Sequence, residues 1–177
     1  MIIKTERLIL RTWEDRDLEP FIRMNEDPEV MRFFPSTLTS EQTQAYFLRI
    51  QDHHAIHGYG LLVVEKQNEN LFMGFTGLSN PTFEADFMPC TEVGWRFRKE
   101  YWGKGYATEA AQACLAYGFE SQGLEKIHSF TSIHNIPSEA VMKRIGMEKI
   151  GTFDHPKLEP GHWLQRHVLY RVDNPAT

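Results

Sequence analysis

Apolar positions recur along this chain at two spacings, every second residue and every third or fourth, and the alternation between them predicts its elements. Leu8 and Leu10 alternate with Ile9 and Arg11, so residues 2–12 are expected to form a strand. Asp15 is placed to cap a helix in which Leu18, Phe21, Ile22 and Asn25 share one face, ending before Pro28. Thr39 and Gln42 have capping-box spacing for a second helix with Tyr46, Phe47 and Ile50 inward and Gly58 as its stop. Two β-rich runs, 59–66 and 71–79, flank Gln67-Asn68-Glu69-Asn70 and read as a hairpin. Residues 80–91, with Pro81 and Pro89, read as a loop before a strand at 92–97.

The second half continues the alternation. Ala107, Ala110, Ala111, Cys114 and Leu115 line one side of a helix whose small residues allow close approach to a sheet, and Gly123 breaks it. A strand at 126–133 precedes a helix starting near Asn135, with Pro137 in its first turn and Gly146 at its end. Strands at about 147–154 and 164–172 flank a loop holding Pro156, Pro160 and Gly161. The order β-α-α-β-β-β-α-β-α-β-β predicts an α+β (mixed α/β) three-layer domain rather than a doubly wound sheet.

Composition narrows the function class. The 177 residues are 41% hydrophobic and 24% charged, which fits one globular domain spanning 1–177 with a core that needs no staples. No run of about 18 apolar residues is present, so no membrane partner is expected. Met1 to Glu6 carries charge too early for a signal peptide, and Cys90 and Cys114 fit a reducing compartment; the expected location is cytoplasmic. A net charge of −5 without a basic run argues against nucleic acid as a partner.

The most informative segment is Tyr101-Trp102-Gly103-Lys104-Gly105-Tyr106-Ala107-Thr108-Glu109-Ala110, which lies between the strand Glu92-Val93-Gly94-Trp95-Arg96-Phe97 and the alanine-rich helix. A strand, a Gly-x-Gly turn and a helix start gather unpaired N–H groups at the positive end of a helix dipole, an arrangement that binds phosphate or pyrophosphate. It is not a Walker loop: Arg98 stands where the first glycine belongs, and Gly105 follows the lysine in place of Ser or Thr. The dinucleotide fingerprint fails as well, because Thr108 occupies the place of its third small residue and no βαβ unit opens the chain.

Three motifs taken together resemble the GNAT superfamily of acyl-CoA-dependent N-acyltransferases, in the branch containing the ribosomal-protein N-terminal acetyltransferases (RimJ/RimL-like). They are Thr5-Glu6-Arg7-Leu8-Ile9-Leu10-Arg11 with Asp17, the segment from Glu92 to Ala110, and Asn135-Ile136-Pro137-Ser138-Glu139-Ala140-Val141-Met142-Lys143-Arg144-Ile145-Gly146-Met147. The resemblance implies a mostly antiparallel twisted sheet of six to seven strands flanked by about four helices, with two central strands splayed to admit the pantetheine arm of acetyl-CoA. It implies that backbone groups of Trp95, Arg96 and Phe97 pair with that arm. Amides of Trp102, Gly103, Lys104, Gly105, Tyr106, Ala107 and Thr108 would hold the pyrophosphate, and Asn135 and Ser138 would sit beside the pantetheine near the thioester. Two positions depart from the family pattern. Glu100 replaces the usual Gln or Arg and is expected to face solvent, and Met142 stands where many members carry a proton-donating tyrosine.

Amine acetylation needs a deprotonated amine, a polarised thioester carbonyl and a stabilised thiolate. Glu92 is the first candidate base, directly or through a water, set against a solvated strand-end glutamate; His134 is the alternative base. Ser138 is the candidate acid or thiolate donor, set against a serine bonded to its own helix turn. His53, His54 and His57 have ligand-like spacing without a third ligand at a sensible offset, so no metal is expected. Neither cysteine has a histidine at nucleophile-like spacing, so direct transfer without an acyl-enzyme is expected. Phe33-Phe34-Pro35, Tyr46-Phe47 and the loop from Asp154 to Trp163 are expected to cover the sheet or border the acceptor groove.

The reading is an acetyl-CoA-dependent N-acetyltransferase acting on a primary amine, either a protein or peptide N-terminus or a small molecule. The alternative is a catalytically inactive acyl-CoA-binding module, and a weaker third is an ATP-binding protein. Acceptor identity, acetyl versus longer acyl donor, and a homodimer are left open.

Overall fold

The computed structural model describes residues 2–176. Eight strands form one open sheet: β1 (Ile2–Lys4), β2 (Leu8–Arg11), β3 (Leu61–Lys66), β4 (Phe72–Ser79), β5 (Glu92–Phe97), β6 (Lys126–Ser132), β7 (Glu148–Asp154) and β8 (Arg166–Asp173). Four α-helices accompany them: α1 (Leu18–Glu26), α2 (Ser40–His57), α3 (Tyr106–Glu120) and α4 (Ile136–Arg144). The strand order is β1-β2-β3-β4-β5-β6-β8-β7, and every pairing is antiparallel except β5 with β6.

The α+β class, the mostly antiparallel sheet and the four helices match expectation. The sheet has eight strands rather than six to seven, because the expected strand over 2–12 is two strands. Thr5 explains the break: its N–H donates to the Leu8 carbonyl at 3.0 Å while its hydroxyl oxygen accepts from the Leu8 N–H at 3.0 Å. The side chain closes the turn locally, and the chain doubles back so that Ile2 pairs with Arg11. The capping box at Thr39 and Gln42 forms as expected, as does the stop at Gly58. The first helix starts differently, with Glu14 capping a short 3-10 turn over Asp15–Asp17 that leads into α1.

The sheet is buried on both faces. Leu62 and Val64 of β3 join Val93, Phe97, Ala110, Cys114, Ile127, Met142 and Tyr170 under α3 and α4. Leu61 and Val63 face the other way, onto Trp13, Phe21, Phe47 and Phe75 under α1 and α2. Burial on both faces accounts for the continuous apolar run of β3. On the α1–α2 side the helices cover only half the sheet. Beyond them residues 80–91 lay Phe83 and Phe87 over Phe130 and Phe153, with ring centroids 5.5 Å apart for Phe83 and Phe130 and 4.9 Å for Phe87 and Phe153.

A buried charge network ties β2 and β3 to the start of α1. The Arg11 guanidinium donates two bonds of 2.7 Å to the Asp17 carboxylate and another to Glu65. Arg16 adds a second positive group 3.3 Å from Glu65. All three members of the core are less than a tenth exposed. Removing the cation alone leaves two desolvated carboxylates, so Arg11→Met is expected to lower stability by about 3–5 kcal/mol in denaturant titration. Breaking the exposed Arg23–Glu19 pair with Arg23→Met changes it by less than about 0.5 kcal/mol.

Candidate active site

The parallel pair at the centre of the sheet barely pairs. Glu92 lies opposite His128, the His128 N–H donates to the Thr91 carbonyl at 2.8 Å, and the Ser129 hydroxyl donates to the Val93 carbonyl at 2.9 Å. Past that point β5 and β6 part. The β4–β5 ladder fixes which backbone groups face the gap. Arg98 donates to Met73, so the bonded pairs with β4 fall on Arg96, Gly94 and Glu92, and Val93, Trp95 and Phe97 turn their N–H and C=O groups the other way. The Val93 carbonyl is taken by Ser129 and the Phe97 carbonyl by the Trp102 indole at 2.9 Å. Both backbone groups of Trp95 and the Phe97 N–H therefore face the cleft unpaired. The backbone of Arg96, by the same alternation, faces β4.

Both flanking helices begin at the carboxyl ends of these diverging strands. α3 follows a turn in which Gly103 and Gly105 have φ of +71° and +80°, a region that side chains resist. The first helical bond of this region runs from the Glu109 N–H to the Gly105 carbonyl, and the amides of residues 103–108 find no acceptor among the described residues, whereas the Trp102 amide, expected to join them, donates to the Lys99 carbonyl at 3.1 Å. Six consecutive donors at a helix N-terminus form a concave anion site. At the start of α4, the Asn135 side chain accepts from the Ser138 N–H at 3.3 Å and donates to the Thr131 hydroxyl at 3.0 Å. The Ser138 hydroxyl is half-buried and has no hydrogen-bond partner among the described residues.

The Gly loop is held in place by the N-terminal motif, which sequence reasoning matched only by resemblance. One oxygen of Glu109 accepts from the Thr5 hydroxyl at 2.6 Å and from the Arg7 N–H at 2.8 Å; the other accepts from Arg7 Nε at 2.6 Å. Arg7 also donates to the Lys104 carbonyl at 2.9 Å and lies 4.6 Å over the Tyr106 ring. Burial works against the charge on Glu109, but the bonds from Thr5 and Arg7 outweigh it and hold its carboxyl below the usual range. Glu100 is exposed as expected, and Arg98 pairs with it.

On the α1–α2 face, alternation along β5 presents Glu92, Gly94 and Arg96. Glu92 is half-buried without a hydrogen bond or a cation beside it among the described residues, and burial pushes its carboxyl up to about 8. A protonation point near 8 is close to that of a peptide α-ammonium group and about two units below that of a lysine-type amine, so this carboxylate can exchange a proton with an α-amine in either direction. Met142 is buried in the α3–α4 core and offers no donor. The nearby hydroxyl of Tyr170 is committed to Glu139 at 2.7 Å and, through burial and that neighbour, is pushed up to about 12.

The other candidates are occupied elsewhere. His53 bonds the Tyr59 carbonyl and Asn80, and His54 bonds the Leu61 carbonyl. No group of three or more His, Cys, Asp or Glu is placed to hold a metal among the described residues. Burial pushes Cys90 to about 11 and Cys114 to about 12, which leaves neither as a thiolate. His134 packs against Trp163 at 5.5 Å, and His155, lowered to about 4 by burial and His167, stays neutral among Phe83 and Phe153.

A parallel pair that parts and a row of unpartnered amides at a helix start are together suited to an extended, anionic ligand. An acetyltransferase (GNAT) domain matches residues 7–148, and the chain belongs to that family. It is an N-acetyltransferase with acetyl-CoA as donor. The chain is 32% identical to the uncharacterized N-acetyltransferase YnaD of Bacillus subtilis over 86% of both chains. Its fold matches a GNAT-family acetyltransferase of Bacillus anthracis with a TM-score of 0.82, at 31% identity over 98% of this chain and 99% of that one. It also matches a RimL ribosomal-protein α-N-acetyltransferase solved with coenzyme A, with a TM-score of 0.79 over the full length of both chains at 17% identity, a likeness of fold alone.

Glu109→Gln keeps the shape of the loop clamp and removes its charge. The expected loss is about 1–2 kcal/mol at neutral pH, held down by solvent around the half-exposed Arg7. Because the folded carboxyl is depressed, the difference from the unmutated protein is present at neutral pH and closes as pH falls through the folded value. Thermal unfolding across acid pH checks this, and stabilisation by acetyl-CoA shrinks in the same variant.

Proposed function

We propose that the protein acetylates a primary amine by direct attack on the acetyl-CoA thioester, with Glu92 as the base and Ser138 as the group that supports the departing thiolate. The observation that carries this reading is the unpaired, desolvated Glu92 carboxyl at the point where β5 and β6 part. The amine lone pair forms the C–N bond and the C–S bond breaks. The proton leaving nitrogen goes to the Glu92 carboxylate, directly or through a water. The sulfur leaves as thiolate, accepts a hydrogen bond from the Ser138 hydroxyl and takes its proton from solvent. The cleft-facing N–H groups of Trp95 and Phe97 are the donors available to the pantetheine arm or the thioester oxygen, and the amides of residues 103–108 hold the pyrophosphate.

The donor side is family chemistry; the acceptor is our reading. A peptide or protein α-amine is favoured over other amines by the fold likeness to RimL. The unpaired thiols of Cys90 and Cys114 support a cytoplasmic setting. The buried Met142 favours the second reading, a binding module that holds acyl-CoA without transferring it.

Acetyl-CoA at 100 times its Kd is expected to raise stability by about 2.7 kcal/mol in thermal unfolding, while ATP does not. Release of free thiol with an amine then separates enzyme from sensor. Glu92→Gln is expected to lower kcat/KM by about 10²–10⁴-fold with the acetyl-CoA shift intact. With an acceptor whose own pKa lies well below 7, kcat/KM of the unmutated protein rises with pH to a plateau past about 8, and Glu92→Gln loses that limb. An unchanged rate in that variant removes Glu92 from the mechanism. Stability carries an independent signature. A carboxyl raised by folding contributes fully below its ordinary range and loses that contribution as pH rises through about 8, so Glu92→Gln matches the parent in acid and exceeds it above pH 8.

A further inference from the structure

Arg96 carries a charge that the protein does not neutralise. Its Nη1 donates to the Asn25 amide oxygen at 2.6 Å, its Nε is buried with no partner, and no carboxylate pairs with it among the described residues. Rings hold it in position: its Cζ lies 4.3 Å from the Phe34 ring centroid, 5.3 Å from Phe75 and 6.0 Å from Tyr46. The contrast with Arg11 is informative, because that buried guanidinium is matched by Asp17 and Glu65. A guanidinium removed from water without an anion is unfavourable, and burial lowers its proton affinity accordingly.

The second unpartnered ionisable group on this face is Glu92, a carboxyl that burial holds largely protonated at neutral pH. The two lie four residues apart on one strand, so their Cα atoms are separated by about 13 Å and they do not pair with each other. Between them stands Gly94, above which a Cβ would meet no atom within 4 Å. The Tyr46 ring centroid lies 6.0 Å from the Arg96 guanidinium, and its hydroxyl is influenced by both Arg96 and Glu92. This half of the groove thus offers a carboxylate at one end, open space over a glycine, and an aromatic-framed guanidinium at the other.

We propose that the acceptor is an amine whose own molecule carries a carboxylate, with the amine at Glu92 and the carboxylate in the fork of Arg96. This rests on the reading of Glu92 as the base and extends it to the substrate class. An extended di- or tripeptide spans about 7–10 Å, which fits between the two groups, whereas a simple alkylamine leaves Arg96 unmatched. With Nη1 donating one proton to Asn25 and Nε buried, Nη2 and the second Nη1 proton are the donors left for a carboxylate, and a neutral amide end group does not supply the matching charge. Arg96 is accordingly a specificity-determining residue, and Asn25 orients it.

The test compares short peptides bearing a free carboxyl end with the same peptides amidated, using thiol release at saturating acetyl-CoA. The free acids are expected to have kcat/KM at least tenfold higher. Arg96→Gln is expected to abolish that preference while changing rates with the amides less than about threefold, and Arg96→Lys to retain part of it. A purely structural role for Arg96 lowers both series together and overturns the proposal. A longer amidated peptide with Glu at its second or third position distinguishes a side-chain carboxylate on a protein N-terminus from the free end of a small acceptor. Should Arg96→Gln not fold, the unmutated protein still decides: the des-amino analogue of the best tripeptide competes with the acceptor, and its amide does not. Transfer to all amines without preference for the acids overturns the acceptor class and leaves the acetyltransferase reading standing. Acetyl-CoA binding without transfer to any amine overturns both.

Discussion

Everything this protein does depends on a pairing that stops. Parallel strands normally run side by side for several residues, and here β5 and β6 meet at one register position, Glu92 opposite His128. Both backbone groups of Trp95 and the N–H of Phe97, past that point, keep their hydrogen-bonding capacity and have no strand to use it on. Unpaired backbone N–H and C=O groups inside a sheet are unfavourable unless something else satisfies them. An extended, amide-bearing arm is a chemical match, because it restores the missing ladder without belonging to the chain.

The parting is sustained from both sides. On the β5 side, the antiparallel ladder to β4 runs from Glu92 to Phe97 without a break, so the strand cannot swing. On the β6 side, seven register pairs with β8 hold the partner equally firmly. Two well-paired half-sheets with one weak seam place the cleft at the seam. The same division explains the surface above it, where α1 and α2 pack over β3 and β4 and residues 80–91 pack over β6 and β7.

Much of this was legible in the sequence, for definable reasons. The Gly-x-Gly turn, the capping box at Thr39 and the Asn135 cap are local: each is settled by residues within four positions of one another, so spacing alone reveals them. The break at Thr5 is local too, but a threonine that closes a turn looks like a threonine in a strand until its hydroxyl is seen to accept from Leu8. Arg96 was read for its backbone, whereas the ladder turns that backbone toward β4 and its side chain into the groove. Its meeting with Asn25 joins residues 71 positions apart, and no periodicity in a single chain records such a distance. The clamp of Thr5, Arg7 and Glu109 spans more than 100 positions and was visible only as a recurring motif without a mechanism.

The two unmatched charges also bear on why the active site is stable at all. A half-buried carboxyl and a half-buried guanidinium would relieve each other if they met, and Arg11 with Asp17 shows that this protein builds such pairs where structure needs them. Along β5 no such pair forms, because Asn25 and the rings of Phe34, Phe75 and Tyr46 hold the Arg96 guanidinium on a strand whose Glu92 Cα lies about 13 Å away. The aromatic rings around Arg96 offset part of its desolvation through the cation–π attraction, on the order of 2 kcal/mol when dry, and hold the fork open rather than collapsed onto a surface acid. For Glu92 the compensation is different in kind: it takes up a proton, and the cost of burial reappears as a protonation point near that of an amine. Strand rigidity thus converts two local penalties into a spacing, and a molecule that carries the complementary charges at that spacing removes both at once.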